Sequence, residues 1–271
     1  DGAPHKIVRH PDMPAGVFHL MWQEIAAGRP FGGYVKNLAT DHTHYWVFAV
    51  VLPLDDGYLS MRLKPGSDIF AQINDLYAAL LAEEQAGRTT PEQSGDLLLQ
   101  KLREMGHPDY ESFMSTALAA EIATRGTGLQ RRVDHGLQSM CELAEAVEKM
   151  HRYGDMVDTI FHSTALIPNN LSIQARSLEG ANGPISVISN NHQLMAQSLG
   201  DILRRFRTAV EDGVSHTVMA RFNAAVRVLT QEMTAQFRNN PPVAGLDSDA
   251  EARRLAALST ECQIRENASV S

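Results

Sequence analysis

The chain has 271 residues, 44% of them hydrophobic, with a formal net charge of −8 and a pI near 5.7. That length allows one large domain or two modest ones with a core, and the acidity argues against a primary nucleic-acid binder, because nothing would neutralise a phosphate backbone. Two distant cysteines, Cys141 and Cys262, exclude a disulfide scaffold and a Cys-rich metal site and fit a reducing cytoplasm.

Residues 1 to 66 read as α+β. Pro14 to Ala27 has Val17, Phe18, Met21, Trp22 and Ile25 at helical spacing, with Pro at the start and Gly28 as the stop. Three strands follow: Phe31–Leu38, entered through Gly32-Gly33; Thr43–Leu54, rich in aromatic and β-branched residues; and Gly57–Leu63, after the turn Asp55-Asp56-Gly57. The longest apolar run, Trp46 to Leu54, is strand-like and far short of the roughly 20 residues that span a bilayer. The first residues carry no signal-peptide pattern. The chain opens on Asp1 in what reads as the middle of a fold, so a longer protein is expected.

From Ser67 the composition turns helical. Residues 67–127 read as linker helices. Asp68–Ala86 is amphipathic, Thr90-Pro91-Glu92 opens a helix to about Met105, Gly106-His107-Pro108 breaks it, and Tyr110 to about Thr124 forms a third. Gly126-Thr127-Gly128 reads as a hinge. Residues 128–240 hold two long stretches. Leu129 to Leu178 carries Val133, Leu137, Met140, Ala144, Val147, Met150, Gly154, Val157 and Phe161. Ile185 to Phe237 carries Leu199, Leu203, Phe206, Val210, Val214, Val218, Phe222, Val226, Leu229 and Met233. Those intervals are a coiled-coil seam, and the turn Glu179 to Pro184 folds the stretches into an antiparallel hairpin. A second copy would complete a four-helix bundle, which predicts a homodimer. Residues 241–271 read as a terminal helix, Asp249 to about Glu266, and a tail.

The residues with most chemical content stand early. Arg9 has the fixed charge and forked donors that suit a pyrophosphate, or it pairs with Asp12 at the surface. His10 is a hydrogen-bond partner, a haem ligand or a satisfied polar residue. Asp12 reads as the N-cap of the helix opened by Pro14. Trp22 sits on an apolar helix face, where it packs in a core or stacks on a flat ring. Asn37 ends a strand, as a turn residue or as an amide facing a polar ring. His42 and His44 share a strand face without a third metal ligand nearby. Asp55/Asp56 and Glu83/Glu84 read as a turn and a solvated face. No nucleophile–base constellation stands out, so the expected role is not catalytic.

Arg9-His10-Pro11-Asp12-Met13-Pro14, Trp22, Gly28-Arg29-Pro30-Phe31, Gly33-Tyr34-Val35-Lys36-Asn37, His44-Tyr45-Trp46-Val47, Pro53 and Gly57 to Arg62 occur in an order that resembles the PAS domain of bacterial aerotaxis (energy-taxis) receptors, over about residues 2–65. The resemblance implies a partial PAS-type sensor, lacking the family's first strands, that binds FAD non-covalently through Arg9, His10, Asp12, Trp22 and Asn37 and reports redox state. Haem held by His5 or His10 is an alternative cofactor, and a cofactor-free scaffold an alternative role. Phe31 stands where the family usually has Trp, and residues 39–43 replace a more basic turn. Thr164 to Ala196 is similar to the cytoplasmic tip of methyl-accepting chemotaxis receptors, with Asn170, Ile173, Ala175, Gly183 and Val187 as landmarks. That likeness implies a homodimer and, as partners, the chemotaxis kinase and coupling protein. Gln174, Ser177 and Pro168 depart from the pattern at functional positions. The expected protein is a cytoplasmic redox or oxygen sensor and signal transducer, with no nucleic-acid partner and no membrane span.

Overall fold

A computed structural model describes residues 9–54, 57–132, 134–164 and 184–239, together with Ala256 and Thr260. The elements in order are α1 (Ala15–Ala26), β1 (Phe31–Leu38), β2 (His44–Leu54), β3 (Gly57–Leu63), α2 (Asp68–Gln85), α3 (Pro91–Glu104), α4 (Tyr110–Gly128), α5 (His135–Thr164) and α6 (Pro184–Asn239). The strands form an antiparallel sheet of order β1-β2-β3. Its register runs from Phe31↔Val51 to Leu38↔His44, and from Phe48↔Leu63 to Leu54↔Gly57. Among the described residues no helix is long and apolar enough to cross a membrane.

Strand alternation gives the sheet two faces. One carries Tyr34, Trp46, Phe48, Val50, Met61 and Leu63, and helices cover it. Phe70 of α2 packs on Tyr34 and Trp46, Phe113 of α4 approaches Tyr34, and Thr230 of α6 reaches the Met61 sulfur. Helices α2 and α4 therefore build the same core as the sheet. The other face carries Gly33, Val35, Asn37, Tyr45 and Tyr58, and α1 lies over part of it. Gly33 has a packing reason: a Cβ there would stand 2.9 Å from the Tyr110 hydroxyl and 3.0 Å from the Phe31 ring. Tyr110 stacks on Phe31 and donates to the Gly32 carbonyl at 3.0 Å.

Three local expectations need correction. The supposed hinge at Gly126-Thr127-Gly128 is the last turn of α4. Two glycines cost it roughly 1 kcal/mol each, but the helix is anchored along its length in the core. It stops when Gln130 turns to φ 51° and the Arg131 amide reaches the Gly126 carbonyl at 2.9 Å. Asp12 does not cap α1, whose N-cap position is Pro14 without a side-chain cap bond. Glu84 of α2 does that work instead, accepting from the Ala15 and Gly16 amides at 2.7 and 3.0 Å. Glu84 is thus not a solvated partner of Glu83, which pairs with Arg88 at the surface.

Residues 142–217 form a compact unit of their own. Within it α5 and α6 run antiparallel. A Cβ at Gly154 would meet the Phe206 ring, one at Gly200 the Phe161 ring, and one at Gly213 Val147; one number falls as the other rises. The seam expected along α6 is divided. Its later members, Val218, Phe222, Val226 and Leu229, are buried in the core of the other unit, where the Val218 carbonyl accepts from Ser115 and Arg221 donates to Ser115 and Thr116. An apolar stripe specifies a buried face but not its partner. The expected turn from Glu179, the tip landmarks Asn170, Ile173, Ala175 and Gly183, the departures Pro168, Gln174 and Ser177, Val133, and the terminal helix as a continuous element lie outside the described residues.

Candidate functional site

The segment before α1 lies along the edge of β1. Arg9 bridges Asn37 in antiparallel fashion, and the His10 amide donates to the Lys36 carbonyl at 3.2 Å. Met13, fully buried, accepts the Lys36 amide at its sulfur. Opposed residues share a face, so this pairing sends Arg9 to the Asn37 side and His10 to the Lys36 side.

Arg9 does not pair with Asp12. Its guanidinium lies 4.4 Å above the Phe18 ring and donates to the Met13 carbonyl at 2.7 Å. Burial pushes the group below its ordinary pKa, and the Glu84 charge opposes that shift. One turn beyond Phe18, Trp22 is 38% exposed and meets Tyr58, itself 57% exposed, edge to face at 6.4 Å. The indole is therefore at the mouth of the site rather than in the core. Asn37 is buried, and its Nδ2 has no hydrogen-bond partner among the described residues. An orphaned buried amide costs on the order of 1–3 kcal/mol, and in native folds such a group has a reason. A cation, a partly exposed indole and an amide whose Nδ2 has no partner among the described residues thus share this face of the sheet and the helix α1 that lies over part of it. That set fits an aromatic, phosphate-bearing cofactor: Arg9 suits its phosphates, Trp22 its ring plane and Asn37 its polar ring edge.

His10 and Asp12 stand apart from that set. The His10 ring meets His44 edge to face at 5.7 Å, and its Nδ1 accepts the Asp12 amide at 3.1 Å. The Asp12 carboxylate takes the Lys36 ammonium at 2.7 Å, a bond that holds its pKa below the usual range. Both act as fasteners on the opposite side of β1. His42 sits in the turn at φ 64° rather than beside His44 on the strand. His5 lies outside the described residues.

Sequence reasoning passed over three contributors. Phe18 supplies the ring under Arg9, Lys36 holds Asp12, and Glu84 fixes the start of the helix that carries Trp22. Lys36 stood inside the recognised motif and was available to charge pairing. Glu84 is separated from Ala15 by 69 positions, and no local pattern announces it.

No family model matches the chain. A search of characterised proteins finds the aerotaxis receptor of Escherichia coli strain K12, 38% identical over 105 residues. The match covers 37% of this chain and 20% of that receptor, so the chain spans only a minor part of the relative. The likeness relates part of this chain to a chemotaxis sensor.

Proposed function

We propose that this chain is part of a chemotaxis-related energy sensor, with FAD held at the face of the sheet that carries Asn37 and a dimeric helical hairpin as the output. The observation that carries the reading is the buried Asn37 amide, whose Nδ2 has no hydrogen-bond partner among the described residues, paired with Arg9 across the strand edge. A flavin, when bound, supplies a ring whose charge and hydrogen-bonding pattern change with redox state. Asn37 offers both a donor and an acceptor to such a ring and so is able to answer either pattern. Arg9 is pre-positioned by Phe18 and the Met13 carbonyl to neutralise phosphate. Trp22, held edge to face by Tyr58, offers a partly exposed ring for the flavin plane. Asp12, Lys36 and His10 hold the edge segment that presents Arg9.

The hairpin leaves an apolar stripe partly exposed, including members of the expected seam. On α5 it comprises Leu143, Met150, Tyr153, Val157 and Ile160, and on α6 Ile188, Met195, Leu199, Ile202 and Phe206, all exposed. The spacings are those of a coiled-coil seam. One antiparallel pair leaves these stripes uncovered, and a second copy covers both at once in a four-helix bundle. The chemotaxis kinase and coupling protein are the partners the receptor likeness implies for that hairpin.

The test is flavin retention. Purified protein incubated with FAD and passed over a desalting column should keep flavin absorbance, and Trp22→Ala and Asn37→Ala should each reduce it with helicity unchanged. A protein that keeps no flavin, or variants that keep as much as the parent, would overturn the site assignment. A Soret band in place of flavin absorbance would move the reading to haem.

A further inference from the structure

Glu121 of α4 is a fully buried carboxyl group that the proposed cofactor site does not use. It gathers donors from β1 and from the connection between β3 and α2. The Tyr34 hydroxyl of β1 donates to it at 2.8 Å, the Ser67 hydroxyl at 2.6 Å, the Gly66 amide at 2.7 Å and the Ser67 amide at 3.2 Å. Ser67 is also the N-cap of α2, its hydroxyl oxygen accepting the Phe70 amide. One carboxyl group therefore sets the start of α2, the end of the β3 connection and the position of β1 against α4. Tyr34 is buried and its phenol is held above its ordinary pKa, chiefly by burial, which keeps it a donor.

Tyr34 stands three residues before Asn37 on the same strand and projects from the opposite face. A shift of β1 at its open face must move Tyr34 on its covered face, because a strand is short and stiff between paired neighbours. The covered face is closely packed around Phe48, Phe70 and Phe113, so the displacement is not absorbed locally. We infer that Glu121 is the coupling residue of this fold, passing movement of β1 and of the β3–α2 junction into α4. The inference rests on the reading of the open face as the ligand face. A carboxyl group that merely stabilised the core would accept the same bonds without relaying changes at Asn37, so the test has to read relay and not stability.

The perturbation is Asn37→Leu in the full chain, and the readout is hydrogen–deuterium exchange over residues 112–128, with residues 91–104 of α3 as the internal reference. Asn37→Leu should change exchange in α4 relative to α3 by at least about 3-fold, near the lower end of what coupled neighbours show. In Glu121→Gln and Tyr34→Phe backgrounds that change should fall to less than half. Tyr34→Phe loses only a hydroxyl, so it carries the test if Glu121→Gln folds poorly. An undiminished response in both backgrounds, or no response of α4 to Asn37→Leu in the parent, would refute the relay. FAD retention measured on the parent is separate: its failure removes the flavin reading and leaves the exchange result to decide the coupling.

Discussion

Replacing Glu84 by alanine tests whether the site-bearing helix is held from outside the strands around it. α1 begins after Pro14 with no side-chain cap of its own, and both Glu84 oxygens occupy its first amides at 2.7 and 3.0 Å. Loss of an N-cap costs about 0.5–2 kcal/mol, and loss of an anion at the positive end of a helix costs a further ~0.3–1 kcal/mol. The expected total is about 2 kcal/mol, a drop in Tm of roughly 4–8 °C for a body of 150–250 residues. Glu84→Gln keeps one acceptor and should fall between the parent and Glu84→Ala. Glu83→Ala is the control, since Glu83 is half-exposed and its carboxylate pairs with Arg88 at the surface; it should leave Tm nearly unchanged. Thermal unfolding by circular dichroism gives the midpoints, and amide exchange at Ala15 and Gly16 localises the change. Equal shifts for the two neighbouring glutamates, or no shift for Glu84→Ala, would refute the capping argument.

Phe222 is 0% exposed and Phe206 40%. Phe222→Ala should lower stability by about 3–5 kcal/mol, whereas Phe206→Ala should weaken self-association in sedimentation experiments and spare the Tm of the sheet-containing unit; the reverse pattern would reassign the partners of α6. Asn37→Leu should raise stability by about 1 kcal/mol, because it removes a buried amide nitrogen without a partner among the described residues, while abolishing flavin retention; a destabilised variant would mean the amide is satisfied in solution. Glu111 has its pKa raised, first by burial and then by Asp109 and Glu24. A carboxyl raised in the folded state is disfavoured in its charged form, so it subtracts stability above its folded pKa and the penalty vanishes as pH falls to where both states are protonated. Glu111→Gln should therefore unfold at higher urea than the parent at neutral pH and at the same urea in acid, and a difference that grows on acidification would contradict the sign.

Local punctuation was legible and long-range partnership was not. Gly28 and Gly106 mark helix ends in the sequence, and both sit in the left-handed region with the following amide closing on the last turn. The three strands follow from β-branched and aromatic runs, and their alternation gives both faces. The end of α4 was hidden because Gln130 adopts the left-handed conformation at φ 51°, which nothing in a glutamine announces. Asp12 looked like a cap because a carboxylate precedes a proline-started helix, yet Lys36 is the nearer cation once β1 is in place. The apolar period of α6 is continuous through Phe206, Val210, Val218 and Phe222 although its burial changes partner along the way. Period reports that a face is buried; the tertiary fold decides against what.

The split of the five candidate residues follows from the same alternation. Arg9 and His10 are adjacent, and pairing with β1 forces their side chains to opposite sides of the sheet. A one-residue slip of register would exchange their faces without uniting them, and Met13 opposes it by taking the Lys36 amide while fully buried. A motif read as one site is thus divided between the two sides of β1. Arg9 and Asn37 lie on one face of the sheet, with Trp22 on the helix that covers part of it, and are the residues proposed to meet the ligand. His10 and Asp12, with Lys36 and His44, clamp the strand edge that positions Arg9. The distinction predicts a kinetic signature. For the proposed flavin site, Asp12→Asn should loosen the edge segment without touching Arg9, Trp22 or Asn37, raising the off-rate of added FAD more than it lowers the on-rate. Stopped-flow flavin fluorescence separates the two rates, and an effect confined to the on-rate would return Asp12 to direct contact with the ligand.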